Sequence, residues 1–226
     1  MSTEFVLKNV RLSYPQLLTP QAFKGKGEPR YSASFLLAKD DAQVKKLIVP
    51  ALSEAAIAKW GDKGMQMVKQ LQAKDMIALH DGDLKLDKEG APQGGYGEHF
   101  YLSAAAQKDK APRVLTRGGD IITVETSGLY PNDVPYGGCF VHARVNIWAQ
   151  DNDYGCRLNA GLLAVVFASD GDPFGSVVAT EQGTLDAFAA AGIAFDSPAA
   201  PSGGNGATDP ADQNGGGDDE VESLFG

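Results

Sequence analysis

Apolar and polar residues alternate with period two along Cys139–Ala149, Cys-Phe-Val-His-Ala-Arg-Val-Asn-Ile-Trp-Ala. Successive side chains of a strand point to opposite faces. Val141, Ala143, Val145, Ile147 and Ala149 therefore make an aliphatic face fit for a core, and Phe140, His142, Arg144, Asn146 and Trp148 make the other. Less regular alternation predicts further strands. Phe5–Tyr14 is one, with Val6, Val10 and Leu12 buried and Pro15 ending it; Arg30–Ala38 is another, with Tyr31, Ala33 and Phe35 opposite Ser32, Ser34 and Leu36. Ile121–Glu125 is a short strand, and Cys156–Ala168 returns along the Cys139–Ala149 strand, with a break placed at Gly161.

Between Asp40 and Lys74 the period becomes helical. Asp40 or Asp41 supplies an N-cap, and Val44, Leu47, Ile48, Ala51, Leu52 and Ala55 recur at three- and four-residue spacing. Pro50 interrupts this run and predicts a kink or two abutting helices. A second helical piece runs from about Gly64 to Lys74. Turn chemistry marks Asp81-Gly82-Asp83, Lys88-Glu89-Gly90 and the hairpin loop Asp151–Gly155. Leu185–Phe195, rich in Ala and Phe, reads as a terminal helical turn or two. From Asp196 on, Gly, Pro, Ser, Asn and Asp dominate; such a segment buries no core and is expected to be disordered. The elements thus divide the chain into a mainly β domain over 1–195, with a helical insertion at about 40–74, and an acidic tail over 196–226.

Charge sharpens this division. The 226 residues carry a net charge of −9, from 29 acids against 20 Lys and Arg. Seven of those acids lie from Asp196 onward, where there is no Lys or Arg, so the body holds 22 acids against 20 bases. The tail is at −7 and the body at −2. A nearly neutral body can hold a basic stripe, whereas a uniformly acidic one would repel phosphate. The tail ends with Asp218, Asp219, Glu220 and Glu222 beside the apolar Val221, Leu224 and Phe225. Acids beside an apolar tip make a peptide ligand for a basic, hydrophobic pocket on a partner.

The candidate chemistry is stacking and phosphate neutralisation. Single-stranded nucleic acid needs rings for its bases and cations for its backbone. Trp148, Phe140, Tyr101 and Phe100 are the leading rings, with Tyr14, Tyr136 and Tyr154 behind them. Arg144, Arg11, Arg113, Arg117, Lys108 and Lys110 are the cations. The competing reading is an interaction module whose aromatic face docks another protein subunit. No P-loop, GxSxG, HExxH or paired Cys/His cluster occurs, so neither an enzyme nor a cofactor is expected. Cys139 and Cys156, with no CxxC between them, give no metal site and fit a reducing cytoplasm. Asp81 and Asp83 offer only a weak divalent-ion candidate. No apolar run reaches the roughly 18 residues of a membrane helix, and Met-Ser-Thr-Glu-Phe lacks the plan of a signal peptide.

Several stretches, in this order and spacing, resemble a family of phage single-stranded DNA-binding proteins. They are Val10-Arg-Leu-Ser-Tyr-Pro15, Tyr31–Lys39, Asp81-Gly-Asp83, the segment from Ser103 to Lys110-Ala-Pro-Arg113, Tyr136–Val145, Gly161-Leu-Leu and Ser169–Asp172. The resemblance spans roughly residues 5–195. It implies an OB-fold-like, five-stranded Greek-key barrel with a helical insertion, whose open face binds single-stranded DNA in replication or recombination. It implies host cytoplasm as the location. The last nine residues separately resemble the acidic, Phe-bearing tails through which such proteins recruit replication or recombination partners, with the difference that Gly226 follows Phe225. Duplex binding and homo-oligomerisation stay open at this level.

Overall fold

In the computed structural model the described residues are 2–22, 25, 27–174, 188 and 190–192. They fall into two units, Met1–Val178 and Ala179–Gly226. In the second unit Phe188 and Ala190 are helical and Ala191 and Gly192 form a turn. The rest of that unit lies outside the described residues, including Asp218, Asp219, Glu220, Glu222, Leu224, Phe225 and the 195/196 division.

The first unit contains β1 (Thr3–Gln21), β2 (Arg30–Ala38), α1 (Val49–Trp60), α2 (Gly64–Ala73), β3 (Leu79–Asp81), β4 (His99–Gln107), β5 (Arg113–Leu115), β6 (Ile121–Ile122), β7 (Phe140–Asn152) and β8 (Gly155–Ser169). The sheet order is β3-β4-β2-β1-β7-β8-β5-β6. A parallel pairing of Ala104 and Ala105 on β4 with Ala160 and Gly161 on β8 closes β4, β2, β1, β7 and β8 into a five-stranded barrel. The other joins of the ring are antiparallel. This is the five-stranded OB barrel with a helical insertion. Beyond the closure, β8 continues and pairs with β5, which carries β6.

The alternation of β7 is realised as read: Val141, Ala143, Val145 and Ile147 are fully buried. On β1 the expected parity fails. Leu7 is fully buried while Val6 is 45% exposed, because Asn9 adopts φ 51° and the register shifts between Leu7 and Val10. Asparagine tolerates this left-handed conformation better than most residues, and the bulge it makes moves the aliphatic set by one position. Pro15 does not end the strand. Tyr14 at φ 46° opens a second bulge between Ser13 and Gln16, and the missing N–H of Pro15 falls where the ladder is already interrupted. A third irregularity lies on β8, two residues beyond the expected break. Val145 faces Leu162 but Arg144 faces Ala164, so Leu163 is the extra residue. Buried positions accordingly switch from Leu158, Ala160 and Leu162 to Val165 and Phe167.

The insertion begins where Asp41 Oδ1 accepts a hydrogen bond from Gln43 N (2.8 Å). One wide turn, Val44–Ile48, runs directly into α1, and Pro50 sits in the first turn of α1, where the two helical pieces abut. Ile48, Ala51, Leu52, Ala55 and Ala56, with Leu71 of α2, join the barrel core. The Asp81–Asp83 pair is taken up by the Lys39 ammonium, which bonds both carboxylates (3.0 Å to Asp81), so an ammonium stands where the divalent-ion candidate was placed. Cys139 and Cys156 are both free thiols, and burial pushes the Cys139 thiol up to about 11. Among the described residues no helix is long and apolar enough to cross a membrane.

Candidate nucleic-acid interface

Strands β2 and β4 pair without a bulge, Arg30 to Gln107, Ser32 to Ala105, Ser34 to Ser103 and Leu36 to Tyr101. Partners in register point to the same face. Phe35, Leu37, Leu102 and Ala104 go to the core, which leaves Ser32, Ser34, Ser103 and Ala105 as the outer floor. Small side chains leave room above the sheet. Two adjoining concavities, of about 750 Å³ and 700 Å³, share Arg30, Ser103 and Ala105. Tyr14, Gln16, Lys85 and Tyr101 wall the first. His80, Trp148, Gln150, Tyr154 and Arg157 wall the second. Tyr101 and Gln107 lie six residues apart on β4, so the groove runs about 20 Å at the rise of a strand. The β7–β8 hairpin, with Tyr154 89% exposed at its tip, flanks one end.

The walls are ordered by polar contacts. The Tyr101 ring stacks on His80 (centroids 4.8 Å) and meets Tyr96 edge-on (5.1 Å). His80 Nδ1 bonds Asp75 Oδ1 at 2.6 Å. Tyr96 is 1% exposed and donates its hydroxyl to Ser13 Oγ (2.9 Å). Burial pushes both the Tyr96 and Tyr101 phenols above their ordinary value, so both rings stay neutral at physiological pH.

Of the residues singled out by sequence, Trp148, Tyr101, Tyr14 and Tyr154 come together on this groove. Lys108 lies at its margin, paired with Glu28 (3.3 Å) beside Arg30 and Gln107. Lys110 is exposed in the turn after β4. Phe100, one residue from Tyr101, has the opposite parity and packs against the core, with Lys39 Nζ 5.7 Å from its ring. Phe140 and Arg144 lie on the outer surface of β7. Arg144 pairs with Glu4 (2.6 Å), and Phe140 stands against the backbone at Gly171. Arg11 donates to Gly138 O (3.2 Å) and Asp172 O (2.8 Å) and lies over the Phe174 ring. Tyr136 donates its hydroxyl to Gly171 O (3.0 Å), with Asp170 Oδ1 at 3.1 Å. Arg117 pairs with Asp133 (3.1 Å), and Arg113 is exposed beside Ala164 at the start of β5.

Sequence reasoning missed Arg30, His80, Lys85 and Arg157 on the walls. Arg30 and Arg157 could have been found from strand parity, since each is in step with outward polar positions. Nothing local marks Lys85, which reaches the groove from a segment read only as turns.

A closed OB barrel with a small-residue floor on two adjacent strands defines a class of fold that presents one concave face. Within that class, the family model described as the ssDNA-binding protein of Enterobacter phage Enc34 matches residues 3–192, and the chain belongs to that family. Putative protein p50 of Acyrthosiphon pisum secondary endosymbiont phage 1 is 31% identical over 180 residues, covering 78% of this chain and 90% of that one. The solved single-stranded DNA-binding protein from bacteriophage Enc34 superposes with a TM-score of 0.56 at 26% identity, over 81% of this chain and 90% of that chain. The same protein solved in complex with ssDNA gives a TM-score of 0.56 at 28% identity, over 76% of this chain and 89% of that chain.

Proposed function

We propose that this protein is a phage single-stranded DNA-binding protein that coats and protects the strand during replication or recombination. The strand lies across β2 and β4. Its bases stack on Tyr101 and Trp148, with Tyr14 and Tyr154 at the ends, and its phosphates meet Arg30, Arg157 and Lys85. The observation that carries this reading is the floor of Ser32, Ser34, Ser103 and Ala105 between aromatic and cationic walls, where the OB fold receives oligonucleotides. The family, and a relative solved with ssDNA, support it. Binding and protection of the strand require no catalytic step. The seven acids from Asp196 onward compete with DNA by imitating its phosphates, and Leu224 and Phe225 recruit replication or recombination partners once the segment is displaced.

The test is a titration of the full chain, and of a chain lacking Asp218–Gly226, with oligo-dT and with duplex DNA at low and high salt. Affinity for oligo-dT is expected to fall linearly on logarithmic axes, with a slope of about −0.7 per phosphate neutralised, and to exceed that for duplex. The truncated chain is expected to bind more tightly, most at low salt where attraction between acids and bases is least screened. Affinity independent of salt would instead favour the protein-docking module.

A further inference from the structure

Lys85 is half-buried at the wall of the groove, just after the tight turn Gly82–Leu84. Its ammonium lies 3.9 Å from the centroid of Tyr96, 4.6 Å from Tyr14 and 5.0 Å from Tyr101. Each ring face attracts a cation, and the three come from three separate segments: β1, the connection before β4, and β4 itself. Among the described residues no carboxylate stands within ion-pair distance of Lys85; the ion pairs go to Lys39, His80, Lys108, Arg117 and Arg144. Removing a cation from water without an anion to meet it is unfavourable. The rings offset part of that cost, and burial still lowers the Lys85 pKa.

The segment that carries Lys85 is fastened on every side. Asp81 Oδ1 accepts from Asp83 N (3.0 Å), and Lys39 ties both carboxylates. Lys85 N donates to Gly82 O (3.0 Å), Gln93 N donates to Lys85 O (2.7 Å), and Gln93 Nε2 donates to the Tyr14 hydroxyl. A Cβ at Gly82 would collide with the Tyr96 carbonyl oxygen, so only glycine lets the turn lie this close. Gly95, at φ +82°, lies under the Phe174 ring, which Arg11 covers from 4.3 Å. Lys85 is therefore held in place, unlike a solvated lysine that sweeps its surroundings.

We propose that Lys85, in its cage of Tyr14, Tyr96 and Tyr101, is a preformed site for one backbone phosphate of the strand in the groove. This rests on the reading of the groove as the path of single-stranded DNA. The phosphate supplies the anion that the cage lacks, and the rings fix the ammonium before the strand arrives, so little ordering cost falls on binding. The site is also a pH sensor at its alkaline end. The titratable groups facing Lys85 are the Tyr14, Tyr96 and Tyr101 phenols, with His80 stacked behind Tyr101 and Asp75 bonded to His80. Tyr96 and Tyr101 are pushed upward by burial and keep their protons as Lys85 loses its own. Phosphate favours the charged ammonium, so affinity follows the Lys85 proton. It falls as pH rises through the lowered Lys85 value, before lysines near the ordinary value of about 10.4 respond.

The test uses the full chain, with fluorescent oligo-dT as the probe, titrated at several salt concentrations and from neutral to about pH 10. Lys85→Gln is expected to weaken binding on the order of tenfold, to flatten the salt slope by about one phosphate, and to abolish the alkaline decline. Lys85→Arg, which keeps its charge at every pH used, is expected to restore the slope and hold its affinity where the native chain loses it. Unchanged slope and pH profile in Lys85→Gln would overturn the proposal, while a weakened Tyr101→Ala/Trp148→Ala chain in the same assay would leave the groove reading standing. If both chains bind like the native one, the groove reading falls with it. Should Lys85→Gln fail to fold, Lys85→Arg decides: an alkaline decline identical to the native one refutes the site.

Discussion

Replacing Tyr101 and Trp148 together with alanine is expected to weaken oligo-dT binding by about 2–6 kcal/mol, at about 1–3 kcal/mol per stacked base with the two losses additive for separate sites. Trp148 is 39% exposed on β7, Tyr101 stands on β4, and each lines one of the two joined concavities. Every base has a π face, and the loss should therefore be similar for oligo-dT and a mixed sequence. An Arg144→Ala/Arg113→Ala chain is the comparison. Arg144 lies on β7 and Arg113 on β5, each in register with Ala164 of β8, and Arg144 is already paired with Glu4; their removal is expected to change affinity much less. Fluorescence anisotropy checks both chains in one assay. A larger loss from the arginine pair would move the binding surface to the Phe140–Arg144 end of β7 and to β5, away from β2 and β4.

The second large effect is on stability. Phe35 is fully buried at the centre of β2, between Leu12 of β1 and Leu102 of β4, directly beneath the groove floor. Phe35→Ala removes the ring and leaves a void that close-packed neighbours fill only in part. It is expected to cost about 3–5 kcal/mol, read from urea unfolding. The folded fraction should keep most of its affinity for oligo-dT, because Phe35 contributes nothing to the outer face. A cost under about 1 kcal/mol would show that the core repacks around the site.

Strand parity explains which parts of this were legible in the sequence. On β2 Leu36 is buried although it holds an outward position, but on β7 the alternation is uninterrupted and the inward set was readable from side-chain type alone. That of β1 was not. Its two bulges, at Asn9 and Tyr14, each shift the parity, and nothing in Lys8-Asn9 or Tyr14-Pro15 distinguishes a bulge from an end. β3 and β5, at three residues each, are too short to show a period and exist because β4 and β8 offer them an edge. The same logic governs the site. Phe100 and Tyr101 read together as one pair of stacking rings. Parity and closure divide the pair, with Phe100 against the core and Tyr101 facing the groove. Trp148 was found because its strand is regular. Lys85 was not, because its position depends on Tyr14, 71 residues earlier, and on a turn held by Lys39. Tail residues such as Leu224 and Phe225 stay what the sequence made them, candidates for partner recruitment.

The central claim is that the strand lies across β2 and β4. Photo-crosslinking with an oligonucleotide carrying 5-bromodeoxyuridine, followed by mass spectrometry of the digested adduct, tests it most directly. The account predicts adducts at Tyr101, Trp148, Tyr14 and Tyr154, the rings that wall the two joined concavities. Adducts confined to Phe140 and His142 on the outer surface of β7 would contradict it.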